Sequence, residues 1–370
     1  MGIGVAGCGS LFLGAFGAEV PPAPESWAPA KTIAEEVTAN TQARFNFQDR
    51  MSLIIASNAS ANLIEMSRPT SEPFDIFSPK AQERSQAIAT VFGGSQQRAA
   101  RYTSRPADRK EELLFAINDA RGNISNAAFL TRSPGRTAMI FVTPPHNKAD
   151  QDRGAALIRR AISAANELDA VLVQALVEPL RSEELSMFSD GGMNPIGILA
   201  YLELSRIRRP HDAVKSAPAG VTIRSWKTND RTSLEELLEA TYVDSLDCPG
   251  LAEMRKTSDI LDGHISTGIV DPKKWLIAEV DGVPSGVSLM SEIPVSNCIE
   301  VVYFGLAPNA RGRGVGGYLL DHALGIVQDG GGQSVALACD ELNHPAMRLY
   351  RSRGFALRLR RSALIGRIGK

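Results

Sequence analysis

Arg311-Gly312-Arg313-Gly314-Val315-Gly316 stands between a strand-like run, Val301-Val302-Tyr303-Phe304-Gly305-Leu306, and a stretch in which Tyr318, Leu319, Leu320, Ala323, Leu324 and Val327 recur at helical spacing. A turn so rich in glycine reads as a phosphate cradle. Glycine has no Cβ, so successive backbone N–H groups can approach an anion, and the first turn of the following helix adds unpaired donors and partial positive charge. Gly312, Gly314 and Gly317 also satisfy the dinucleotide pattern G-x-G-x-x-G, and Asp340 closes the next strand, Ser334 to Cys339, about where a ribose-binding acid would stand. Two observations oppose a nicotinamide site. Ala307-Pro308-Asn309-Ala310-Arg311 separates the strand from the first glycine, and only 30 residues follow Asp340, too few to complete a doubly wound sheet. A P-loop is excluded because no Lys-Ser or Lys-Thr follows the glycines.

Downstream, Asn343, Ala346, Tyr350, Gly354 and Phe355 set out N-x-x-A-x-x-L-Y-x-x-x-G-F. Together with Arg311-x-x-Gly314-x-Gly316, and with a strand between the two motifs, this resembles the GNAT N-acetyltransferases over roughly residues 219–370. The resemblance implies an α/β fold with a mixed, mostly antiparallel sheet flanked by helices. It implies acetyl-CoA as co-substrate and no metal. Backbone amides of Arg311, Gly312, Arg313, Gly314, Val315, Gly316 and Gly317 would hold the pyrophosphate, with the side chain of Arg311 or Arg313 adding charge-assisted contacts. The strand segment Phe304-Gly305-Leu306 would pair with the pantetheine arm, and Asn343 would contact that arm or cap its own helix. His344 is read as a solvent-facing neighbour.

Acyl transfer to an amine needs a bound thioester, a neutral nucleophile and an acid for the departing thiolate. An alkyl ammonium has a pKa near about 10.4, so a base must remove its proton at neutral pH. Glu300 lies 11 residues before Arg311, a spacing at which some family members carry a strand glutamate as base, and Glu292 is held in reserve. The bland alternative for Glu300 is a solvated carboxylate on an open sheet face. Tyr350 stands where the family places its acid; the alternative there is a core tyrosine. The acceptor would lie against residues 244–274 and the loop after Met290. That segment carries Asp244, Asp247, Glu253 and Asp259 beside Arg255 and Lys256, a mixture that also suits an ordinary solvated helix face.

The rest of the chain bounds these readings. With 370 residues, 44% apolar, it can build two cores, and its net charge of −1 gives no electrostatic case for nucleic acid or a membrane surface. Cys8, Cys248, Cys298 and Cys339 are scattered without metal-binding or paired spacing, which suits a cytoplasmic setting. Residues 1–66, with Val20-Pro21-Pro22-Ala23-Pro24, read as a flexible extension whose place in the working protein is open, given Met51 and Met66. A linker is expected at 211–220, then the catalytic unit at 221–370.

Residues 67–210 carry a faint repeat of that unit. Phe115-Ala116-Ile117 corresponds to Ile277-Ala278-Glu279 at an offset of 162, Ile140-Phe141-Val142 to Phe304-Gly305-Leu306 at 164, and Phe188-x-x-x-Gly192 to Tyr350-x-x-x-Gly354 at 162. There His146 to Arg153 replaces the glycine cradle and Phe188 replaces the tyrosine, so this copy is expected to be degenerate. Tandem organisation of this kind is also similar to that of the mycothiol synthases, which acetylate a cysteinyl amine. The expected function is therefore acetyl transfer to a primary amine of a small molecule or peptide, with a mycothiol-synthase-like reaction or a non-catalytic acyl-CoA-binding module as alternatives. Nothing in the sequence sets an oligomeric state.

Overall fold

The computed structural model describes residues 74–368 apart from 105, 106, 109, 208–215, 250, 295 and 332. The expected extension at 1–66 and residues 211–215 of the expected linker lie outside the described residues. The first half supplies β1 (Glu112–Asn118), β2 (Ile124–Ser133), β3 (Thr137–Val142), β4 (Leu172–Val177) and β5 (Asn194–Leu204). From the second come β6 (Val221–Ser225), β7 (Ile269–Val280), β8 (Val283–Ile293), β9 (Cys298–Leu306), β10 (Ser334–Asp340) and β11 (Ala356–Arg367). The first-half helices are α1 (Arg84–Val91), α2 (Gln96–Thr103), α3 (Lys148–Ala164) and α4 (Ser182–Asp190). Those of the second half are α5 (Arg231–Tyr242), α6 (Thr257–Ile265), α7 (Val315–Asp329) and α8 (His344–Ser352).

All these strands form one sheet in the order β1-β2-β3-β4-β11-β5-β10-β9-β8-β7-β6. Read inward from either end, it repeats the same pairings. An antiparallel meander leads to a short parallel pair, β3 with β4 or β9 with β10. Next comes a strand donated by the other half: β11 pairs with β4, and β5 pairs with β10. The donated strands pair with each other at the centre. The halves thus exchange their last strands, and neither half completes its sheet alone.

Local chemistry explains the elements. Asp281 and Gly282 both take positive φ, 52° and 79°, as a two-residue hairpin turn requires, and Val280 pairs with Val283 across it. Along β7, Leu276 and Ala278 face a cluster with Leu319, Leu320, Ala323, Leu324 and Val327 of α7, whereas Trp275 and Ile277 face Leu234, Leu237 and Leu238 of α5 and Leu261 of α6. The alternation follows from the two-residue period of a strand and places one helix pair on each face. The first half does the same, with α3 against Phe115 and Leu130, and α1 against Ala116 and Phe129.

Because the central strands are shared, we expect one cooperative unfolding transition in urea. Far-UV circular dichroism, which senses both halves, should coincide with fluorescence of Trp226 and Trp275, which lie in the second half, measured in a Trp27→Phe background so that only these two indoles report. Separate midpoints would show that the halves unfold independently.

Candidate active site

The turn after β9 has the geometry of an anion cradle. A short 3₁₀ turn at Pro308–Ala310 leads to Gly312 and Gly314, whose φ values of 74° and 81° lie in the left-handed region that disfavours a Cβ. Gly314 is the N-cap of α7 and no side chain caps the helix. The N–H of Tyr318 reaches the Gly314 carbonyl at 3.1 Å, but the N–H groups of residues 312–317 donate to no acceptor among the described residues. They form a run of unpaired donors at a helix N-terminus. Gly316 and Gly317 have packing duties as well. A Cβ on Gly316 would lie 3.2 Å from Leu306 Cδ1, and one on Gly317 would lie 2.9 Å from Arg353 Nη2. Arg353 cannot easily yield, since Asp321 holds it bidentately at 2.8 Å.

The two arginines of the turn divide. Arg311 turns inward, donating from Nε to the Leu306 carbonyl at 3.0 Å and from its terminal nitrogens to the carbonyls of Thr241, Val243 and Asp244. Its guanidinium closes the end of α5 onto the end of β9, where free carbonyls and the negative end of the helix dipole favour a cation. The expectation that this side chain faces phosphate gives way to a structural tie. Arg313 is exposed, with a contact at 3.7 Å to Asp281, and is the side chain left for an anion at the turn.

Beside the turn the sheet opens. β10 pairs with β9 only from Ser334 to Ala336, opposite Cys298 to Glu300. Beyond that, Val301 and Tyr303–Leu306 pair only with β8, Val302 being skipped at a bulge, and Leu337–Asp340 pair only with β5. The edge of Phe304, Gly305 and Leu306 facing β10 is therefore unpaired. Tyr350 is buried on α8 with its ring edge-on to Phe304 at 6.4 Å and tilted against Phe355 at 5.6 Å. Burial pushes its phenol well above the usual range, so it stays protonated. Asn343 caps α8, its Oδ1 accepting the Ala346 N–H at 3.3 Å, as the sequence suggested. His344 is exposed.

Glu300 is not solvated: it is 3% exposed, and its Oε1 has no hydrogen-bond partner. Desolvation lifts its carboxyl to about 8. Glu300 faces Ser291 across the β8–β9 ladder, so Glu292, one residue along, projects from the other face. The reserve candidate does not join the site.

Sequence reasoning missed how Asp340 is used. It does not close a ribose site; its carboxylate accepts the N–H groups of Cys248 at 3.2 Å and Leu342 at 2.9 Å. Asp247 in turn accepts the Asp340 N–H at 2.7 Å, at the end of the open β10 edge. No motif marks that long-range brace. Among the described residues, no group of three or more His, Cys, Asp or Glu could hold a metal ion, and no helix is long and apolar enough to cross a membrane.

Comparison with known proteins agrees with this arrangement. The family model described as Acetyltransferase (GNAT) family matches residues 233–355. A mycothiol acetyltransferase from Stackebrandtia nassauensis is 33% identical over 262 residues, covering 67% of this chain and 81% of the relative. The chain belongs to the GNAT acetyltransferase family. A mycothiol acetyltransferase from Thermomonospora curvata is 30% identical over 196 residues, but that alignment spans 50% of this chain and only 64% of the relative. The solved GCN5-related N-acetyltransferase from Sphaerobacter thermophilus shares the fold, with a TM-score of 0.52 at 19% identity, covering 82% of this chain and 98% of that one.

Within this GNAT chain, the first-half counterpart of the cradle is built differently. At the start of α3 the Asp150 N–H donates to Asn147 Oδ1 at 2.9 Å and the His146 N–H to Asp150 Oδ2 at 3.2 Å, with Arg153 bound to Asp150 at 2.6 Å. Asn147 caps that helix through the Asp150 N–H, and the Asp150 carboxylate stands at the end where the second half presents glycine.

The division of the two arginines is testable. Arg311→Gln removes bonds to four carbonyls and should cost about 1–3 kcal/mol, lowering Tm by several degrees. Arg313→Gln should leave Tm within about one degree and weaken CoA binding in a manner that fades with salt. Calorimetry of both variants checks this; equal losses of Tm would refute the assignment.

Proposed function

We propose that the chain transfers an acetyl group from acetyl-CoA to a primary amine of a small molecule or peptide. The observation that carries this reading is the run of orphan donors at 312–317 opening beside the unpaired edge of β9, with Tyr350 against the same edge. Those amides and Arg313 would hold the pyrophosphate, and Phe304 to Leu306 the pantetheine arm. Acetyl-CoA supplies the activated acyl thioester.

Tyr350 is held neutral by burial and would donate its proton to the departing sulfur. Glu300 would take the proton of the incoming ammonium. A carboxylate at about 8 lies much nearer the amine's pKa than an ordinary one, so the transfer is less uphill, although only about one tenth of it is ionised at pH 7. Glu300 and Tyr303 share a face of the sheet, because their β8 partners Ser291 and Leu289 are two residues apart.

The capped helix end at Asn147 and Asp150, with Phe188 in place of the tyrosine, supports reading residues 67–210 as a degenerate copy without its own CoA site. A mycothiol-type acceptor, a cysteinyl amine, is the second reading, favoured by the names of the relatives at 30% and 33% identity.

Release of CoA thiol in the presence of an amine panel tests the activity, and absence of release with every amine would leave only a binding module. Tyr350→Phe should lower kcat by about 10²-fold or more with little change in CoA affinity. Glu300→Gln should lower kcat/KM by about 10²-fold or more and abolish a wild-type rise in rate with pH that levels near 8. Stability should move the other way. Between about 4.5 and about 8 the unfolded carboxyl ionises while the folded one stays protonated, so folding is progressively penalised as pH rises and the penalty is constant above that window. Thermal melts should therefore show Glu300→Gln gaining on wild type across that window; parallel curves would count against a buried neutral Glu300.

A further inference from the structure

Arg255 is an unusual residue for a protein interior. It lies near the end of the α5–α6 connection, is 8% exposed, and donates from Nη1 to the Gly135 carbonyl at 2.8 Å, in the β2–β3 turn of the other half. That approach depends on Gly135, whose φ is 74° and where a Cβ would lie 2.5 Å from the Asp259 carbonyl oxygen and 2.9 Å from Nη1 itself. Nε and Nη2 are buried with no hydrogen-bond partner, and Asp259, the carboxylate whose charge acts on Arg255, does so without a direct ion pair. A buried guanidinium left so is costly, since both its charge and its donors have lost water. The two orphan nitrogens form the side edge of the guanidinium, whose parallel N–H groups match the two oxygens of a carboxylate.

The surroundings place this edge on the acceptor side of the sheet. Tyr242, whose Oη is also buried without a partner, is near enough for the Arg255 charge to act on it. Its ring meets Tyr303 edge-on at 5.9 Å, and Tyr303 Oη is 2.6 Å from Thr241 Oγ1. Tyr303 immediately precedes the unpaired edge and shares the face of Glu300. His264, buried against Tyr303 at 5.3 Å, is pushed down to about 3 by burial and by the Arg255 charge, so it adds no competing cation.

We propose that Arg255 recognises a carboxylate on the amine acceptor, binding it through Nε and Nη2 with Tyr242 Oη as a further donor once the side chains that close these atoms off in this structure give way to the ligand. This rests on the transferase reading for the amine and adds the acceptor's second functional group. Arg255 sets specificity and takes no part in the proton transfers.

The full-length chain is assayed with ω-amino acids and L-amino acids of graded length, each beside its carboxamide, by CoA thiol release and by calorimetric binding to the CoA-loaded protein. The best carboxylate should have a KM about 10- to 100-fold below that of its carboxamide. Arg255→Gln should erase that difference through KM, with kcat within about threefold, and Arg255→Lys, charged but without the fork, should restore part of it. A wild-type enzyme that handles the carboxamide as well as the carboxylate, or prefers an acceptor with no acidic group, overturns the proposal. So does a well-folded Arg255→Gln that loses both acceptors equally. If Arg255→Gln does not fold, the wild-type pair and Arg255→Lys decide. Arg255-dependent binding of the carboxylate without turnover would uphold the anion site and sink the transferase reading; turnover of neutral amines with no carboxylate binding would do the reverse.

Discussion

Three residues of pairing between β9 and β10, followed by separation, are the constraint from which the site follows. Unpaired backbone groups are expensive in a protein interior, and two adjacent strands would ordinarily close. They do not close because each is held on its other side: β9 along its length by β8, β10 from Val335 to Asp340 by β5. β5 belongs to the first half. The exchanged strand therefore anchors β10, while Arg311 pins the end of β9 to α5 from the opposite direction. An opening that a lone sheet would tend to seal is kept apart by bonds made elsewhere.

The same constraint arises twice, and the chain meets it in two ways. In the first half, β3 and β4 pair only over Thr137–Met139 and Leu172–Gln174, and the helix that follows β3 has donors to satisfy just as α7 does. Asn147 satisfies one of them, the Asp150 N–H, in the manner of an ordinary helix cap, at about 1 kcal/mol of stability, and Asp150 in turn accepts the His146 N–H just before the helix. The second half substitutes glycines, gives up that gain and leaves the donors facing outward. A small difference in helix-end chemistry thus separates a stable terminus from an anion-receptive one, with no change in topology.

Much of this was legible in the sequence because it depends on local rules. Asp281-Gly282 dictates its hairpin, the spacing of Leu319, Ala323 and Val327 dictates α7, and the positive φ of Gly312 and Gly314 is what a glycine cradle requires. The repeat was visible as three short echoes, since burial demands the same residue types at equivalent places. What stayed hidden depends on contacts between distant segments. Nothing local in Ala356–Arg367 says that it pairs with β4 of the other half, and the motif arginine at 311 looks the same whether it faces a phosphate or four carbonyls. Arg255 sat in a mixed-charge stretch that suits a solvated helix face; only its burial beneath Gly135 distinguishes it.

The buried polar groups on the two sides of the open β9 edge fit one electrostatic logic. Glu300 and Tyr350 are uncharged at neutral pH because burial penalises their ionised forms, and His264 is neutral for the same reason. Arg255 keeps its charge because a guanidinium resists deprotonation; even with burial its pKa falls only to about 10. Asp259 offsets part of the Arg255 charge from a distance without bonding to it, and on the proposed reading a ligand would complete the balance by bringing a negative group to the cation and an ammonium to the carboxyl. Such a ligand would strengthen its own reaction, because an arriving ammonium favours ionisation of Glu300 at the point where a base is needed. On the proposal made above, the unpartnered atoms of Arg255, Tyr242 and Glu300 would together be the complement of a zwitterionic acceptor.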